Sequence, residues 1–139
     1  MLRSEDEFWL WRGGQDVSAN YEEDKNSVSV FVGICESEER FEAYWDDKAL
    51  GYDFGFFCDE DFAIIKFREP PLQQIDALFD DAGLFGLAEL KKQYPDGLDR
   101  PYNAVYVIGR LNYKGTVSEF ENEDYGYFKF LGVFPAKKW

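Results

Sequence analysis

Apolar and polar positions along the chain change period several times, and each period predicts an element. In "SVSVFVG", residues 27–33, Val28, Val30 and Val32 alternate with Ser27, Ser29 and Phe31, the period of two that marks a strand. Ser37 then stands as an N-cap with Glu38 and Glu39 behind it, where carboxylates meet the positive end of a helix dipole. Phe41, Tyr44 and Trp45 recur at helical spacing while Glu42 and Asp46 fall on other faces, which predicts a helix with one buried stripe. The glycines of "DDKALGYDFGF" predict a loop, and "DFAIIKF" a second strand. In "EPPLQQIDALFDDAG", Pro70 and Pro71 open a helix carrying Leu72, Ile75, Leu78 and Phe79, with Gly83 as its stop. "LFGLAELKKQYPDG" continues with a short helix whose Leu87, Leu90 and Tyr94 share a face. "NAVYVIGRLNY" and "YGYFKFLGVF" then read as two long strands paired as a hairpin through the long acidic loop "KGTVSEFENED".

The order strand, helix, strand, helix pair, strand, strand implies an α+β two-layer sandwich: a single, mostly antiparallel or mixed sheet with helices packed on one face. Phe41, Tyr44, Ile64, Leu78 and Val107 are its expected core. At 139 residues the chain fits one domain. Residues 1–27 read as an aromatic and acidic N-terminal extension, in which Phe8, Trp9, Leu10 and Trp11 pack on the domain edge before an exposed acidic loop; residues 28–139 form the core domain.

Charge changes the picture more than composition does. Lys and Arg number 15 against 28 Asp and Glu, a net charge of −13, which argues against direct binding of nucleic acid or anionic lipid through a basic face. The acidity is uneven: residues 1–70 hold 18 acids and 7 bases, and residues 71–139 hold 10 acids and 8 bases. Such a surface either keeps the protein soluble or steers a basic partner. No apolar run approaches the roughly 18 residues a membrane helix needs, and the N-terminus lacks the order of a secretory signal. A cytoplasmic protein, with a monomer as the favoured state, is the expectation.

The candidate chemistry is mostly excluded. The chain has no histidine, and its two cysteines, Cys35 and Cys58, are far apart, so zinc, Ser/His and Cys/His sites are not expected. "CDEDF" and "ENEDYGY" supply oxygens but do not fit a calcium loop, and no phosphate-cradling glycine motif occurs. Neither a cofactor nor a metal is expected, and the chain is not read as an enzyme. Carboxylate pairs, Lys or Tyr remain as acid or base candidates, with Asp59 and Asp61 as the carboxylate pair of a glycosidase-like alternative. What is left is an aromatic and acidic surface of the kind that could hold a basic protein.

"VSVFVGICESEERFEAYW", "GYDFGFFCDEDFAIIKF" and the segment from "EPPLQQIDALF" resemble the immunity protein 22 family, small bacterial proteins encoded beside polymorphic toxins. The resemblance runs from about Val28 to Tyr113. It is most specific at Asp53, Phe54 and Gly55 and at Asp59 to Phe62, with Gly33, Phe41 and Tyr44 at matching places. It implies a cytoplasmic antitoxin that neutralises the toxin domain of a secreted or contact-delivered effector, often a nuclease. The expected partner is therefore a basic toxin domain. Asp53, Asp59, Glu60 and Asp61, supported by Glu38, Glu39 and Asp46, are the expected partner-binding residues. An acidic nucleic-acid mimic that inhibits a DNA-binding enzyme is the alternative with the same charge.

Overall fold

The computed structural model describes residues 20–56, 62–82 and 86–136. Five strands, β1 (Tyr21–Cys35), β2 (Ala63–Leu72), β3 (Tyr102–Tyr113), β4 (Glu119–Asn122) and β5 (Gly126–Pro135), form one sheet in the order β2-β3-β1-β5-β4. Every neighbouring pair is antiparallel. The helices are α1 (Glu38–Asp46), α2 (Ala49–Phe54), the single turn α3 (Ile75–Leu78) and α4 (Leu87–Gln93). The chain is an α+β sandwich built on one antiparallel sheet, as its sequence implies.

The helices are not confined to one face. The alternation in β1 sends Val28, Val30 and Val32 to one side, where Ile75, Leu78 and Leu90 of α3 and α4 meet them. Phe31 and Cys35 point to the other side, against Phe41 and Tyr44 of α1 and Leu50 and Phe54 of α2. Both sides of the central strands are therefore apolar, and each needs its own cover. In β5 one extra residue, Leu131, sits between Phe130 opposite Phe31 and Gly132 opposite Val30. That bulge reverses the phase, so Leu131 joins Phe134 in the aliphatic layer while Phe128 lies in the aromatic one.

Several local expectations are corrected. β1 starts at Tyr21 rather than after an acidic loop, because Tyr21, Glu22 and Glu23 pair with Tyr113, Asn112 and Leu111. The glycine-bearing "loop" contains α2: Gly55 closes it with φ 86° and donates to the Gly51 carbonyl at 2.7 Å, a left-handed cap glycine adopts cheaply. Pro70 and Pro71 lie in the last part of β2, ahead of Leu72, instead of opening a helix. β3 and β5 are not hairpin partners, since β1 lies between them; the acidic connection holds β4, and the hairpin is β4–β5. Gly83 and the segment Phe8–Trp11 lie outside the described residues. Of the expected core, Phe41, Tyr44, Leu78 and Val107 are buried, while Ile64, on edge strand β2, is half-buried against the aliphatic layer.

Candidate partner-binding surface

Helix α1 begins as its sequence dictates: the Ser37 hydroxyl accepts from the Arg40 amide at 3.2 Å, and Glu38 and Glu39 occupy the first turn. Its buried stripe fixes how it lies. The Tyr44 ring stacks on Phe128 with centroids 3.6 Å apart, and the Tyr106 hydroxyl donates to the Phe41 carbonyl at 2.9 Å. The opposite face of α1 is left to water, so Glu38, Glu39, Glu42, Asp46 and Asp47 are exposed.

The β4–β5 hairpin turns tightly at Glu123–Tyr125. Gly126, at φ 142°, brings its backbone against the Ile34 carbonyl, where a Cβ would collide, so the turn sits flush against the end of β1. Glu119, Glu121, Glu123 and Asp124 are exposed along it. Three ties lock this acidic turn to the helices. Arg40 of α1 donates to the Asp124 carbonyl, and the Tyr125 hydroxyl donates to Asp47 at 2.7 Å. Beneath them, the carboxylate of Asp53 in α2 accepts from the Tyr44 hydroxyl at 3.0 Å and from Asn122 Nδ2 at 2.8 Å. The Asn122 side-chain oxygen in turn accepts from the Asp124 amide at 2.9 Å. A cleft of about 210 Å³ runs between the start of α1 and the hairpin, lined by Glu36, Arg40, Glu121, Asn122, Glu123, Asp124 and Tyr125 to Tyr127.

The tyrosines that make these ties stay protonated. Burial, then the charge of Asp53, raises Tyr44 far above the ordinary phenol range. The hydrogen bond to Asp47 raises Tyr125. Tyr127, on the hairpin, is pushed up to about 12 by burial and then by its bond to Glu119. Each hydroxyl is thus a lasting donor to a carboxylate, and none is poised to act as a base near neutrality.

The expected binding residues fall into three groups. Glu38, Glu39 and Asp46 are exposed on α1. Asp53 is a correction: it is 4 % exposed and serves internal donors, so it supports the surface from below instead of meeting a partner. Asp59, Glu60 and Asp61 lie outside the described residues. Their flanks, Phe56 near Tyr21 and Phe62 just before Ala63, which pairs with Ile108, belong to the end of the sheet away from Cys35 and Gly126. Asp47 and Arg40 carry no signal of their ties in the sequence; Asn122 and Tyr125 lie in "ENEDYGY", where the turn-forming order Asn122–Glu123–Asp124 before Gly126 is the available signal.

Among the described residues no group of three or more Cys, Asp or Glu side chains is arranged to hold a metal ion, and no helix is long and apolar enough to cross a membrane. Comparison of the chain with protein-family models, with curated proteins and with solved structures returns no match.

Proposed function

We propose that the protein is an antitoxin of the immunity type, not an enzyme, which binds and neutralises a basic bacterial toxin domain of the nuclease class through its acidic surface. The observation that carries this reading is the locking of α1 and the β4–β5 hairpin, which holds acids from two distant parts of the chain on one rigid surface. A nuclease site is basic because it binds phosphate, and a fixed array of carboxylates gives such a partner fast, steered association. Rigidity matters because ordering mobile side chains and loops on binding costs affinity. Asp59, Glu60 and Asp61 add their charge to the acidic first half of the chain. The resemblance to the immunity protein 22 family points the same way.

The test is co-expression with the toxin domain encoded immediately beside the gene. Cells carrying the wild-type chain should survive. Glu39→Lys combined with Glu121→Lys and Glu123→Lys should lose protection while keeping the wild-type melting temperature. In vitro, the same variant should associate more slowly and with a weaker dependence on salt. Survival undiminished by the triple reversal would refute the acidic interface, and a neighbouring domain that is neither toxic nor bound would refute the antitoxin reading.

A further inference from the structure

Strand β4 is one edge of the sheet, bonded on its inner side to β5. The Phe130 amide donates to the Ser118 carbonyl at 2.9 Å, and Phe120 and Asn122 stand opposite Phe128 and Gly126. Because an antiparallel ladder alternates, Ser118, Phe120 and Asn122 turn their backbone groups inward. Glu119 and Glu121 turn theirs outward. Both glutamates are exposed, and among the described residues no strand lies along that edge. Their side chains share one face, while Phe120 is half-buried on the other against the aromatic layer. An open row of backbone donors and acceptors is a template for another strand.

The opposite edge offers something different. β2 carries Lys66 and Arg68, and near its end, just before Leu72, stand Pro70 and Pro71, which have no amide to give. Arg68 is committed to the carbonyls of Leu78 and Asp80. The two edges thus differ in sign and in pairing capacity.

We propose that the outer edge of β4 is a docking strand for an extended basic segment of a protein partner. Lys or Arg at alternate positions of that segment faces Glu119 and Glu121, and the residue between them is apolar and packs beside Phe120. Charge complementarity selects this occupant: main-chain bonds would accept any strand, but like charges directly opposite destabilise a pair, which disfavours a second copy of β4. The inference rests on the reading that the partner is basic, and adds how it is held.

The probe is a short synthetic peptide alternating lysine and valine, titrated into isotope-labelled protein beside the same peptide N-methylated at alternate residues. The amides of Glu119 and Glu121 should shift and gain protection from exchange, and N-methylation should weaken binding by at least about tenfold. Glu121→Pro removes an outward N–H and leaves the β4–β5 ladder in place, so it should cause the same loss at an unchanged melting temperature. If that variant melts early, Glu119→Lys with Glu121→Lys takes its place with the same loss expected. No binding, binding elsewhere, or equal binding of the N-methylated peptide would overturn the proposal, the last because charge attraction alone would then suffice. Survival of toxin-expressing cells under Glu121→Pro would overturn edge docking and leave the antitoxin reading standing. Peptide addition to β4 with no toxin neutralised would sink the antitoxin reading and keep the docking strand.

Discussion

The two layers that cover the sheet are filled with different chemistry. On one side Val28, Val30, Val32, Val105 and Val107 meet Ile75, Leu78 and Leu90, and Tyr102 sends its hydroxyl out to Asp99 at 2.7 Å. On the other, Phe31, Phe41, Tyr44, Phe54, Phe56, Tyr106, Tyr113 and Phe128 pack together. Aliphatic side chains ask only for contact. Buried phenols also need acceptors, and here the acceptors are the Phe41 and Phe54 carbonyls and Asp53 on the covering segment, with the Val117 carbonyl between β3 and β4 also within reach of the Tyr113 hydroxyl. The aromatic layer therefore both buries area and fixes α1, α2 and the acidic hairpin relative to the sheet through its own phenols, whereas the aliphatic side chains hold α3 and α4 by burial and the polar tie there comes from outside the layer, from Arg68 of β2 to the Leu78 and Asp80 carbonyls. The proposed binding surface rides on the layer that is wired.

The sharpest way to break this contrast is to empty each layer in turn. Phe31 is fully buried, with the rings of Phe54, Phe130, Phe56 and Tyr113 at 5.0, 5.1, 5.4 and 5.8 Å. Phe31→Ala should cost about 3–5 kcal/mol, and Leu78→Ala about 2–5 kcal/mol, by denaturant midpoint. What separates them is reach: only Phe31→Ala should also raise hydrogen exchange in the hairpin turn beyond its effect on global stability. Equal loosening of the turn by both variants would mean that the layers are not mechanically distinct.

Raising the pH reaches a buried thiol of the aromatic layer, Cys35. Burial pushes the Cys35 thiol from 9.0 up to about 12, against a smaller opposing pull from the Tyr106 hydroxyl. A folded pKa above the unfolded one means that the folded state holds the proton more tightly. The associated stability is complete below pH 9.0 and is lost as pH rises toward about 12. Stability should fall across that window, and Cys35→Ala should flatten the fall even if it lowers the starting value. An identical pH slope in the variant would show that Cys35 is not the titrating group.

The legible parts of this molecule are those set by neighbours in sequence. The period of two in Val28, Val30 and Val32 shows a strand, and Ser37 with Glu38 and Glu39 shows the start of α1. The parts missed are set by distant partners. Polar Glu22 and Glu23 become strand because β3 runs beside them. β1 slides between β3 and β5, which adjacency along the chain cannot reveal. Asp53 looks like one more surface acid in an acidic stretch. Its role is decided by Tyr44, nine positions before it, and Asn122, 69 positions after it. The helices divide between two faces because both phases of the central strands are apolar, a pattern that calls for two covers but does not say which helix covers which face.

Asn122 offers the smallest and most local test of the contrast. Its amide is oriented from both ends, donating to Asp53 and accepting from the Asp124 backbone, so it transmits the position of a buried carboxylate to the exposed turn. Asn122→Ala leaves Tyr44 on Asp53, and Asn122 is itself only half-buried, so water can reach part of the gap. The expected global cost is on the order of 1 kcal/mol. The local effect should be larger: the Asp124 amide loses its acceptor and should exchange much faster, while amides in β2 and β3 keep their protection. Asn122→Asp, which sets a second carboxylate against Asp53, should loosen the turn further at neutral pH and less as acid neutralises the pair. If Asp124 exchanges at its original rate in both variants, the hairpin is placed by Arg40 and Tyr125 alone, and the aromatic layer ends at Asp53 without reaching the acidic surface.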